Sequence, residues 1–267
     1  GARGAEAATV VRGGDGVRLW RARPGVASRH TRPRAIGGCG IVFEDDSLIV
    51  VEKPAGLLTV PLPARRDEPS VLDTLDAGYA ARTRSSPLVV HRIDRDTSGL
   101  VVFARTPSAL RALKEQFVRR APERVYLAVL SVAPEPPMGT WSDRFVWNAR
   151  DTRLEPAAPG AHRVLDAVAH YATRERWRRG ALVEVHLVTG RRNQIRAQAA
   201  LHGAPLAGER QYLGEGPAPL PFARQALHAH RLAFTHPRSG RRVEFESPLP
   251  PDLLHLVERL RRASRVP

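Results

Sequence analysis

The sequence predicts an α+β fold, with a mixed, largely antiparallel central sheet flanked by helices. Strand-like runs outnumber helical ones, and they follow one another mostly without helical crossovers. The chain has 267 residues and is 42% hydrophobic, enough to bury a core in one large domain or two small ones. No repeat period is evident, which argues against a solenoid.

Residues 1–40 are rich in Gly, Ala and Arg and read as a basic N-terminal arm, with a short strand near Val17–Trp20. Residues 41–267 read as one catalytic-sized domain. Order is expected from Ile41: Ile41–Phe43, a turn over Glu44–Ser47, then a strand over Leu48–Val51 that ends at Lys53-Pro54-Ala55-Gly56. A helix is expected from Val71 to Tyr79, started near Ser70. Leu88–Val90 and Leu100–Phe103 read as buried strands. Thr106-Pro107 then starts a helix, with Thr as N-cap and Pro in the first turn, and Leu110, Leu113 and Phe117 share its face. Val125–Val132 is strand-like, a Pro-rich link follows, and another strand is expected around Trp141–Trp147. Residues 148–162 read as a loop. Val183, Val185 and Leu187 alternate within a strand that Thr189-Gly190 breaks. Arg192–His202 reads as a helix capped by Gly203, which would put Arg192 and Arg196 on one face. Leu227–Phe234 and Val243–Phe245 are further strands. After Pro250-Pro251-Asp252 comes a closing helix that buries Leu253, Val257 and Leu260.

The formal net charge is +15, and lysine occurs only at Lys53 and Lys114. Such a balance points to a polyanionic partner, most simply nucleic acid, and arginine forks suit phosphates and stack on bases. A GC-rich genome accounts equally well for arginine replacing lysine, but not for the excess charge. Cys39 is the only cysteine, which excludes an internal disulfide or a cysteine-based metal site. A reducing, cytoplasmic location is expected. No apolar run reaches the roughly 18 residues of a membrane helix. His228 and His230 fall on one strand face near His236. They lack an acidic or cysteine partner in register, so no metal site is expected. A nuclease would want clustered carboxylates, and a DNA reader a recognition helix; neither is evident.

Two polar stretches interrupt the apolar pattern. His91–Gly99 lies between two apolar strands, where a rigid scaffold can hold a functional loop. Its Asp, Thr, Ser and Gly suit a tight turn equally well. Thr189–Arg196 ends a strand and opens a helix with several arginines, which suits anion binding or a solvated basic face.

Together these stretches are more specific. His91-Arg92-Ile93-Asp94-x-x-Thr97-Ser98-Gly99-Leu100 closely resembles the catalytic signature of the RluA-type family of pseudouridine synthases. Ile41–Pro54 resembles the family's first motif, and Val125-Tyr126-Leu127-Ala128 its tyrosine strand. Leu182–Gly208, with Thr-Gly-Arg-x-x-Gln-Ile-Arg, resembles its last motif. The four stretches keep the family's order over roughly residues 41 to 234. Asn193 and Gln198 stand where His is common, Arg124 where Lys is common, and Ile93 where Leu is common; these departures bear on subfamily and substrate.

The resemblance implies an isomerase that detaches uracil from nitrogen 1 of a uridine in ribosomal or transfer RNA, turns it, and rejoins it through carbon 5. It implies no cofactor and no metal, and a monomer is expected. Asp94 would be the essential carboxylate. Three routes stay open for it: attack on the sugar, attack on the base, or removal of a sugar proton. Arg196 would favour its charged form. Tyr126 would stack on the target base and serve in proton transfer. Arg92 would approach the RNA from which the base is extruded, and Ile195 and Leu227 would line the pocket. A salt bridge for Arg92 and plain core roles for Tyr126 and Leu227 compete with these assignments. The competing reading of the whole chain is a non-catalytic RNA-binding ribosome-assembly factor on the same scaffold.

Overall fold

The computed structural model describes residues 34–62, 68–80, 86–148, 150, 153–213 and 219–265. The expected strand near Val17–Trp20, most of the arm and part of the expected loop 148–162 lie outside the described residues. The strands are β1 (Arg34–Ile36), β2 (Cys39–Glu44), β3 (Leu48–Lys53), β4 (Leu88–Val89), β5 (Ser98–Ala104), β6 (Glu123–Leu130), β7 (Met138–Trp147), β8 (Leu154–Pro156), β9 (Leu165–Arg176), β10 (Ala181–Leu187), β11 (Leu227–Thr235) and β12 (Arg242–Glu246). The helices are α1 (Val71–Ala80), α2 (Pro107–Val118), α3 (Gln194–Leu201) and α4 (Pro251–Arg265). The strands form one 12-stranded sheet in the order β1-β2-β3-β5-β11-β6-β10-β9-β7-β8, with β12 on β11 and β4 on β5. Its pairs are antiparallel except β5 with β11, so the mixed, largely antiparallel sheet is what the chain forms.

That parallel pair joins the two halves of the sheet. It is short, matching Ser98 with His228 and Gly99 with Ala229. Gly99 has φ +112°, and a Cβ there would lie 2.3 Å from the Ala229 carbonyl oxygen, so only glycine lets the strands meet. Alternate residues of β5 enter two cores. Val101 and Phe103 pack with Val71, Leu75 and Tyr79 of α1, while Leu100 and Val102 pack with Ala109 and Leu113 of α2. α4 buries Leu253, Leu256, Val257 and Leu260 against Val129 and Leu182.

The helix starts follow local chemistry. Ser70 Oγ accepts from the Asp73 amide, and the Asp73 carboxylate accepts from the Ser70 amide, a reciprocal cap for α1. Thr106 Oγ1 accepts from the Ala109 amide at 3.2 Å to cap α2. α3 differs from expectation. Asn193, with φ 59°, is its N-cap, so the helix begins at Gln194 and Arg192 precedes it. Arg192 and Arg196 therefore do not share a helix face. Gly203, with φ +69°, follows the C-cap residue His202.

Strand β9 has no counterpart in the sequence reading, and β8 falls within the stretch read as a loop. Residues 34–40, read with the arm, form β1 and the start of β2. The histidines serve the scaffold: His228 Nδ1 lies 2.9 Å from Ser98 Oγ, His230 Nδ1 lies 2.7 Å from the Ser247 carbonyl, and His236 Nε2 lies 2.8 Å from Asp45 Oδ2.

Candidate active site

The stretch His91–Thr97 runs into the start of β5 and is pinned from several sides. Lys53, fully buried at the end of β3, donates to the carbonyls of Pro54, Leu57 and Arg95 at 2.8, 2.7 and 2.6 Å. Each acceptor takes one N–H of the ammonium, the full complement of a lysine. Burial pushes Lys53 down to about 7, while Asp96 and Asp94 push it up. Thr59 Oγ1 donates to the Ile93 carbonyl at 2.8 Å and accepts from the Ile93 amide at 3.2 Å. Arg224 Nη1 donates to the Asp96 carbonyl at 3.0 Å, and its Nε and Nη2 hold Asp252 of α4. The Thr97 amide closes a turn onto the Asp94 carbonyl at 3.1 Å. The loop is thus both a turn and a rigid mount for Asp94.

Asp94 is partly exposed, and its Oδ2 lies 3.9 Å from Arg196 Nη1. This is an ion pair without hydrogen-bond contact. The stronger partner of Arg196 is Glu209, whose side chain is fully buried. Arg196 Nε and Nη2 grip its two oxygens at 2.8 and 2.7 Å, a bidentate fork. Glu209 Oε1 also accepts the amides of Arg210, Gln211 and Tyr212. Burial pushes Glu209 up, but Arg196 and these amides together hold it below the usual carboxylate range. Arg196 Nη1 also donates to Asn193 Oδ1 at 3.2 Å, and Asn193 Nδ2 donates to the Tyr212 hydroxyl at 3.3 Å. Burial pushes the Asp94 carboxyl up; Arg196, Arg92, Lys53 and Arg192 oppose it without cancelling it.

Asp94 lies on the shared wall of two adjoining clefts, of about 580 and 630 Å³. Arg92, Asp94, Tyr126, Ile195 and Leu227 line the first, and Arg92, Asp94 and Arg196 line the second. The structure therefore gathers the other five candidate residues around the Asp94 carboxylate. Tyr126 sits mid-sheet, paired with Val185 on one side and Ala229 on the other. Burial pushes its hydroxyl up to about 12, with Arg124 lowering it and Asp94 raising it. Ile195 and Leu227 are buried, and Arg92 is exposed at the rim. Arg192 is also exposed, its guanidinium 4.2 Å from the Trp147 ring centroid.

Sequence reasoning missed Lys53, Arg224 and Glu209 as parts of the site. Lys53 carried a usable signal, being one of two lysines in an arginine-rich chain. A point ammonium fits three converging carbonyls where a planar fork does not. Glu209 and Arg224 carried none, because their partners are set by tertiary packing. Gln198 is fully buried and donates to Asp143 Oδ2 at 2.7 Å and the Ala167 carbonyl at 3.0 Å, fastening α3 to the sheet.

Residues 47–201 match the model of the RNA pseudouridylate synthase family. The chain belongs to this family. Its enzymes are isomerases, and the RluA-type resemblance is borne out by curated relatives. One is the ribosomal large subunit pseudouridine synthase D of Xanthomonas campestris, 39% identical over 88% of this chain and 73% of the relative. Another is an RNA pseudouridine synthase of Bacillus subtilis, 37% identical over 83% of this chain and 73% of the relative. Among solved structures, the human RNA pseudouridylate synthase domain containing 4 superposes with a TM-score of 0.69. It covers 83% of this chain and 92% of its own at 21% identity, a likeness of fold. In this pseudouridylate synthase chain the family match spans both Asp94 and Arg196.

Proposed function

We propose that this chain isomerises uridine to pseudouridine in RNA, with Asp94 as the essential carboxylate. The observation that carries the reading is the position of Asp94. It sits on a braced turn, 3.9 Å from a buried arginine, on the wall of a cleft that also holds Tyr126. A cleft of about 580 Å³ falls in the usual range for small-ligand sites, roughly 300–1,000 Å³, and admits one extruded nucleotide.

The steps follow from that arrangement. The target uridine leaves its stack, at a cost of about a few kcal/mol, and enters beside Tyr126. Exposed Arg92, Arg120, Arg192 and Arg210 supply positive charge around the two clefts for the phosphates. Asp94, ionised, acts on the sugar or the base. The bond from nitrogen 1 to the sugar breaks, the ring turns, carbon 5 bonds the sugar and loses its proton, and nitrogen 1 gains one. Ile195 and Leu227 give the base an apolar wall. The relatives' names favour ribosomal RNA of the large subunit as substrate, with transfer RNA second. The chain acts as a monomer, and the basic sequence ahead of β1 serves as an arm.

The test is conversion of total ribosomal and transfer RNA by purified protein, with pseudouridines mapped afterwards. The wild-type chain should modify defined sites, and Asp94→Asn should bind RNA, keep its melting temperature and lose more than about a thousandfold in rate. A wild-type chain that binds RNA but converts none is an RNA-binding scaffold protein instead. Activity that survives in Asp94→Asn removes the carboxylate from the chemistry.

A further inference from the structure

The first cleft holds a part-buried guanidinium that the steps above leave unused. Arg124, on β6 two residues before Tyr126, lines the same cleft. It forms no ion pair with any carboxylate among the described residues. Its one hydrogen bond there runs from Nη2 to the Val188 carbonyl at a long 3.4 Å. Its Nε is shut off from solvent and has no acceptor among the described residues. Every other feature fixes the group rather than neutralising it. The guanidinium lies over the Phe117 ring at 5.7 Å, and Phe117 stacks on His91 at 4.7 Å and 22°. His91 Nε2 accepts the Val102 amide at 3.1 Å. Gly190 makes the space: a Cβ there would lie 2.2 Å from Arg124 Nη1.

A guanidinium stays charged at any working pH. Desolvating one without a counter-charge is unfavourable, so a fold that does so holds the cation ready for a negative charge that arrives later. We propose that Arg124 donates to a carbonyl oxygen of the target uracil and stabilises the negative charge that the base acquires when its bond to the sugar breaks. The inference rests on the functional reading above. The electron balance requires such charge on each open route. If the bond from nitrogen 1 to the sugar breaks first, its electron pair leaves on the ring and spreads over nitrogen 1 and both carbonyl oxygens. If Asp94 adds to the base, the pair of a ring double bond moves onto a carbonyl oxygen as an enolate. On either route the base is neutral again once carbon 5 has bonded the sugar and released its proton and nitrogen 1 has taken one up. Tyr126 lies within the electrostatic reach of both Asp94 and Arg124. A base stacked on it would meet the carboxylate and the cation together. The phosphates have the exposed arginines instead, which keeps Arg124 for the base.

The test uses the full chain and an RNA that it converts. Arg124→Met should slow turnover about a hundredfold, change RNA affinity by less than about twofold, and leave the melting temperature no lower. Arg124→Lys, which keeps a cation, should recover part of the rate. Replacing one carbonyl oxygen of the target uracil with sulfur, a poorer acceptor, should slow the wild type at the contacted position. The same replacement should slow Arg124→Met by much less. Wild-type turnover in Arg124→Met overturns the proposal. So does weaker RNA binding at unchanged turnover, which marks a phosphate contact, or a lysine variant no faster than the methionine one. If the wild type makes no pseudouridine in any RNA, the functional reading itself fails. If the wild type is active and Arg124→Met equally so, only this inference fails.

Discussion

Two part-buried arginines, Arg196 in the second cleft (its floor) and Arg124 in the first (its wall), are held in opposite ways. Arg196 on the floor is neutralised: a fully buried carboxylate takes two of its N–H groups, Asn193 a third, and Asp94 lies 3.9 Å beyond. Arg124 on the wall has, among the described residues, a single long contact to a carbonyl and an aromatic face behind it. The floor therefore resembles a finished ion-pair network, built to set the state of a group already present. The wall resembles half of one. A fixed, neutralised cation holds a carboxylate in place through the whole cycle, whereas a fixed, unneutralised cation favours only the stage at which charge reaches it. Electrostatic preorganisation uses both kinds.

The sharpest break of this comparison is Arg196→Ala. It leaves Glu209 buried without its counter-ion and Asp94 without its nearest cation. Turnover should fall by about a hundredfold or more, beyond any loss of RNA affinity. Equal losses in both would make Arg196 a phosphate contact and end the distinction between floor and wall.

Stability separates the two regions next. Glu209→Ala strands a buried arginine and should lower stability by about 3 kcal/mol, because breaking a buried pair costs far more than deleting it whole. Arg124→Met removes a partly desolvated cation that has no counter-charge among the described residues and should leave stability unchanged or raised, while turnover falls. Denaturant unfolding of both variants checks the pair. Were Arg124→Met the more damaging, the wall arginine would be a structural member rather than a waiting cation.

Much of this architecture was legible before any coordinates, and the failures have physical causes. The braced loop was visible as polar residues between apolar strands, and its reading as a turn is what the chain forms: Thr97 closes a turn on the Asp94 carbonyl, and Gly99 admits Ala229. β9 was missed because two of its three buried residues, Ala167 and Ala169, are small and give alternation little apolar contrast. Arg192 was placed on a helix because nothing in the pattern marks Asn193 as left-handed. The grip of Glu209 on Arg196 was invisible, since a carboxylate after Gly208 names no partner until α3 is docked.

The smallest expected effect concerns how far Asp94 departs from an ordinary carboxylate. Burial raises it, and Arg196, Arg92, Lys53 and Arg192 hold part of that rise back. Attack or proton removal needs the ionised form, so activity is full above the shifted value and is lost as pH falls through it. The acid limb of kcat/KM should therefore lie above the usual carboxylate value of about 4. Arg92→Gln removes one opposing cation and should move the limb to still higher pH. The displacement should be small, because Arg92 is exposed and screened, and it should shrink further as salt rises. A limb at the ordinary value would mean that the floor's cations outweigh burial. An Arg92→Gln displacement that survives high salt would mean that Arg92 acts from inside the cleft, as Arg124 does, rather than from its rim.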